Sequence, residues 1–115
     1  MTELRKATIG SVLHGTLKST ELVEAFANEL EHQVTRNAEA WRGEAGGAVR
    51  NELMSLVAEA REFDPERLDP RAVESQAADI VDALTEELQM FAPDGHYFGA
   101  HPGDGADFGY WEQES

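Results

Sequence analysis

An α-rich domain of the α+β class, a small bundle of three or four helices capped by a C-terminal β-hairpin, is the fold that three features of the sequence predict. Apolar residues recur at helical spacing along residues 1–91. Glycine groups and aspartate-proline pairs cut that pattern into segments. Six of the aromatic residues then crowd between Phe91 and Trp111, among glycines and prolines that turn a chain. At 115 residues the chain has room for one domain with a modest core, divided into a helical part (1–91), a hairpin (92–111) and a short tail (112–115).

The first segment is expected to be helical: Leu4, Ala7, Ile9, Val12, Leu13 and Leu17 mark its apolar side, Gly10 weakens it and Gly15 closes it. In the next, Leu22, Phe26, Leu30, Val34 and Trp41 recur at spacings of four and seven. They predict an amphipathic helix running to Trp41, with Ser19 or Thr20 as N-cap. "GEAGG" at 43–47 reads as punctuation, because glycine ends helices cheaply in a left-handed conformation. From Ala48 a second stripe follows through Val49, Leu53, Leu56, Val57 and Ala60, and should stop near Phe63.

"FDPERLDP" uses one device twice. Asp64 before Pro65 and Asp69 before Pro70 each read as an N-cap followed by proline at the first helical position, where its missing N–H costs nothing. The first predicts a single turn. The second opens the most regular stripe of the chain, Val73, Ala77, Ile80, Val81, Leu84, Leu88 and Phe91, with Asp79, Asp82 and Glu86 along the opposite side. Pro93, Asp94 and Gly95 end that helix. "HYFGA" and "DFGYW" then flank "HPGDGA" as two strands around a turn, and Tyr97, Phe98, Phe108, Tyr110 and Trp111 are expected to lay one face of the hairpin on the helices. Two strands alone are marginal in water, so the hairpin needs that contact.

Twenty-three acids against nine bases give a net charge of −14, spread along the chain, and only Lys6 and Lys18 are lysines. Such a field repels nucleic acid and anionic membrane and favours basic partners or cations. A lysine-poor, acid-rich surface also suits molar salt, where the Debye length falls to about 3 Å and self-repulsion is screened. Salt adaptation and DNA mimicry are both consistent with this charge. There is no cysteine, hence no disulfide or thiolate metal site. No apolar run is long enough for a membrane span. "MTELRKATIGSVLHGTL" has a basic pair but lacks the uninterrupted apolar region and small-residue cleavage site of a signal peptide, so a cytoplasmic protein is expected.

For chemistry, His96, His101, Asp104 and Asp107 offer imidazole and carboxylate ligands within twelve residues, a plausible set for zinc or another divalent metal. Turn chemistry accounts for the same residues, since aspartate bonds its own backbone and glycine accepts positive φ. His14 and His32 have no ligand partner at local spacing and read as surface or half-buried histidines. The pattern of a helix-flanked calcium loop is missing, as are an H-E-x-x-H motif, a nucleophile elbow and a phosphate-cradling glycine loop. No enzymatic activity and no cofactor are expected. The contact surface is expected on the acidic face (Asp79, Asp82, Glu86) or the hairpin loop (His101, Asp104).

"YFGAHPGDGADFGYW", Tyr97 to Trp111, resembles a segment close to YFGxHPGDGxDFGFW that recurs near the end of small uncharacterised proteins encoded by phages and plasmids of bacteria and archaea. Nothing upstream carries the likeness. It implies a mobile-element or viral context and a shared hairpin, and it brings no catalytic residue with it. The functional expectation is a small acidic protein-interaction protein of a halophile or of its virus or plasmid. A DNA-mimic inhibitor of a host nuclease or defence complex, and a small metal-binding module, are the alternatives.

Overall fold

A computed structural model describes residues 5–15 and 18–113. The order is β1 (Gly10–His14), α1 (Ser19–Arg36), a 3-10 turn (Ala38–Trp41), α2 (Gly43–Glu62), α3 (Pro70–Leu88), a second 3-10 turn (Gln89–Phe91), β2 (His96–His101) and β3 (Asp104–Glu112). The fold mixes three helices with a three-stranded antiparallel sheet in the order β1-β3-β2. Its smallest dimension is 19 Å, which fits one layer of helix packed on one layer of sheet.

β1 replaces the helix expected at the N-terminus; Leu4 and Leu17, cited for that helix, lie outside the described residues. Gly10 and Gly15 take φ of 136° and 90°, which no right-handed helix contains, and Val12 favours an extended backbone. The hairpin is therefore two-thirds of a sheet, and β3 is its central strand rather than its edge. β1 docks with Gly10 opposite Tyr110 and His14 opposite Asp107, and a bulge between Ser11 and Leu13 shifts the register by one. The backbone comes so close that a Cβ on Gly109 would stand 2.0 Å from the Gly10 carbonyl oxygen, so only glycine fits there.

α1 is the element on which both other helices pack. Leu22, Phe26, Leu30 and Val34 are buried as their spacing predicts. The helix ends at Arg36, however, and Trp41 reaches the core from the 3-10 turn that follows, its Nε1–H donating to the Val34 carbonyl at 2.8 Å. The N-cap is Lys18, with no side-chain cap, in place of Ser19 or Thr20. "GEAGG" does not separate two helices: α2 starts at Gly43 and runs through it. A Cβ at Gly46 would lie 2.8 Å from the Ala40 carbonyl oxygen, so the small residue serves close packing under the turn that carries Trp41. Leu53, Val57 and Ala60 are buried as expected, whereas Val49 is 38% exposed and lies outside the core.

The aspartate-proline device works as read. The Asp64 carboxylate accepts from Glu66 N in a single turn, and the Asp69 carboxylate accepts from Arg71 N at the start of α3. Ala77, Ile80, Leu84, Leu88 and Phe91 are buried along one side of that helix and the turn extending it. The sheet joins this core through an aromatic cluster: the Phe26 ring meets Phe98 at 4.9 Å and Phe108 at 5.5 Å edge to face, and Phe98 lies 5.1 Å from Tyr110 in a tilted pair.

Candidate functional site

The five hairpin aromatics do not share a face. Adjacent strand residues point to opposite sides, and the register pairs Phe98 with Tyr110, Ala100 with Phe108, and Tyr97 with Trp111. Phe98, Phe108 and Tyr110 turn toward α1. Tyr97 and Trp111 stand on the outer face, with His101, Ser11, His14 and Asp107.

The outer aromatics are pinned to the backbone beneath them. Trp111 Nε1–H donates to the Gly99 carbonyl at 3.0 Å, and the Tyr97 hydroxyl donates to the Ala100 carbonyl at 2.6 Å. The Tyr97 ring lies against Gly99, where a Cβ would come within 3.3 Å of it. His101 meets Trp111 edge to face at 4.6 Å. Its Nδ1 accepts from Gly103 N at 2.9 Å, so the proton of the neutral ring sits on Nε2. Ile9, 57% exposed, stands beside His101, Pro102, Trp111 and Glu112 along an open groove.

Of the four residues expected to bind metal, Asp104 and Asp107 come together; neither histidine joins their ligand atoms, although His101 stands opposite Asp104 in the ladder. His96 pairs with Glu112 at the far end of the hairpin, and its Nδ1–H donates to the Asp94 carbonyl at 2.8 Å. His101 uses its Nδ1 lone pair on Gly103. The imidazole that meets the aspartates is His14, from the end of β1: its Nδ1 lies 3.5 Å from Asp107 Oδ2 and 3.8 Å from Asp104 Oδ2. Local spacing contains no trace of this, because cross-strand pairing brings His14 to Asp107 over more than ninety residues. Asp79, Asp82 and Glu86 are exposed along α3, as the periodicity indicates.

Sequence reasoning missed a set of polar anchors beneath the sheet. The Tyr110 hydroxyl donates to Glu29 Oε1 at 3.1 Å, and Gln33 Nε2 donates to the same oxygen at 2.6 Å. Burial, and then the neighbouring Glu29 carboxylate, push the Tyr110 phenol far above its ordinary range. Asn37 holds both main-chain groups of Arg5, and Gln89 holds both main-chain groups of Phe98. The available signal was position: Gln33 on the buried side of α1 and Asn37 at its C-cap continue the helical spacing of the apolar stripe, at 2% and 3% exposure, and a polar side chain placed there needs a partner.

Compared with protein-family models, with curated proteins and with solved structures, the chain has no significant match. Among the described residues no helix is long and apolar enough to cross a membrane.

Proposed function

We propose that the chain acts by binding another protein through the outer face of its sheet and carries out no reaction of its own. The observation that supports this is the groove along Ile9, His101, Pro102 and Trp111, on the side of the sheet away from the helices. An exposed isoleucine beside a half-buried tryptophan is the combination that forms the centre of protein interfaces. The chemistry of the occupant follows from charge. Glu112 is exposed along this groove, and the whole chain carries −14, so an apolar residue flanked by lysine or arginine is favoured over an acidic segment. The same surface charge fits the cytoplasm of a halophile, or a virus or plasmid living in one.

The test is capture of the native partner from the source cell, followed by affinity measurements on that purified partner. Ile9→Asp should weaken binding at least tenfold, while Asp79→Asn, Asp82→Asn and Glu86→Gln together leave it nearly unchanged. The reverse result would overturn this reading in favour of the DNA mimic. That alternative has its own observation: the three carboxylates lie three and four residues apart on α3, hence about 4.5 and 6 Å along its axis, spacings on the scale of phosphates along a DNA strand. A DNA-mimic partner would be displaced by duplex DNA.

A further inference from the structure

Three ligand atoms from two strands, the His14 Nδ1 and one carboxylate oxygen each of Asp104 and Asp107, lie within 4.8 Å of one another. How the carboxylates are held matters more than this closeness. Asp107 spends Oδ1 on the Ser11 hydroxyl at 2.5 Å, and Asp104 spends Oδ1 on the Ala106 N–H at 3.1 Å. Each is left with Oδ2, and both Oδ2 atoms face the same imidazole nitrogen, at 3.5 and 3.8 Å. Those separations are too long for hydrogen bonds. They match something else: donors bound about 2.1 Å from one tetrahedral ion lie about 3.4 Å from each other.

We infer that His14, Asp104 and Asp107 form a site for a divalent transition-metal ion, zinc(II) fitting best. The donor set decides the class of ion. Calcium takes six to eight oxygens, and two carboxylates with an imidazole do not supply them. Zinc takes three protein ligands of mixed nitrogen and oxygen type and leaves a fourth position for water or a partner group. The Ser11 hydroxyl and the Ala106 N–H then orient the ligating carboxylates from behind, as outer partners do in metal sites. Bound there, the ion ties the end of β1 to the start and middle of β3. This inference is independent of the proposed partner site, which rests on Ile9 and Trp111.

An imidazolium between two carboxylates would explain the closeness by charge alone, and metal titration separates the two accounts. The full-length chain, stripped with a chelator, is titrated with zinc chloride by calorimetry and its melting followed at rising free zinc. One ion should bind per chain, and the melting midpoint should climb with free zinc by mass action. His14→Ala and Asp104→Asn, both at exposed positions, should each lower zinc affinity at least tenfold with the circular dichroism spectrum unchanged. His96→Ala should leave it as it was. No saturable heat and no melting shift up to about 1 mM free zinc, a range that admits even weak sites, would overturn the site. So would zinc binding that survives His14→Ala.

Discussion

Gln89 covers the middle of one edge of the sheet, at β2, and removing its amide should both weaken the fold and promote self-association. β2 is an edge strand, and an unpaired row of N–H and C=O groups is a template for another chain. Here the middle of the row is occupied. Gln89 Nε2 donates to the Phe98 carbonyl at 2.6 Å, and the Phe98 N–H donates to Gln89 Oε1 at 3.0 Å, so one side chain does for Phe98 what a fourth strand would do. The Tyr97 hydroxyl covers the Ala100 carbonyl, and the His96 N–H donates to Pro93. Two partly buried hydrogen bonds contribute about 1 to 3 kcal/mol together. For a domain of this size that corresponds to a melting midpoint lower by about 5 to 15 °C.

Thermal denaturation followed by circular dichroism, with light scattering on the same samples, measures both consequences for Gln89→Ala. Gln76→Ala, at an exposed position of α3, is the control. Gln89→Glu sharpens the test, because it keeps the shape but sets a carboxylate oxygen against the Phe98 carbonyl. Its protonated form can donate where the ionised form repels, so folding raises the pKa of that carboxyl. The deficit relative to wild type should therefore shrink as pH falls from above the ordinary glutamate range, near 4 to 5, down into it. A Gln89→Ala midpoint within a degree of wild type, with no increase in scattering, would refute the edge-closing role.

Leu84, fully buried on α3, should cost about 2 to 5 kcal/mol on truncation to alanine, while Glu86→Ala, exposed two residues on, should barely move a denaturant midpoint. Because folding holds the Tyr110 phenol protonated, its contribution is complete below the ordinary tyrosine range near pH 10 and is lost as pH rises above it. Alkaline unfolding should therefore be less steep in Tyr110→Phe than in wild type, measured as denaturant midpoint against pH. The net charge of −14 predicts a melting midpoint that rises strongly between low salt and molar potassium chloride. A flat response would detach the acidity from salt adaptation.

What the sequence made legible were elements whose signals are local and mutually consistent. α3 has a capping aspartate, a proline in its first turn and one unbroken stripe, and each device appears where it was read. β1 was illegible because it is five residues long, its bulge breaks the alternation, and its partner lies about a hundred residues away in β3. "GEAGG" misled because glycine has two uses: it ends helices, and it lets a helix pass under a neighbouring backbone, as at Gly46. The facing of the aromatics was within reach. Tyr97 beside Phe98, and Tyr110 beside Trp111, must lie on opposite sides of any strand that contains them. The His14 cluster was not within reach, since register, not spacing, assembles it.

The run from Tyr97 to Trp111 can now be divided between what the fold uses and what it leaves over. Phe98, Phe108 and Tyr110 fill the seam against α1. Gly99 lies beneath the Tyr97 ring, and Gly109 admits β1. Gly103 supplies an N–H to His101, and Asp104 Oδ1 closes the turn on Ala106. Folding alone therefore explains most of the run, and any chain sharing it would be expected to share the sheet. Folding does not use the outer edge of Trp111, the Nε2 side of His101, or the second carboxylate oxygens of Asp104 and Asp107. All of these belong to the outer face of the sheet, the two carboxylates turned to His14 and the two rings beside Ile9. A binding role for the C-terminal segment therefore has to use that face, because the opposite one is already committed to the core.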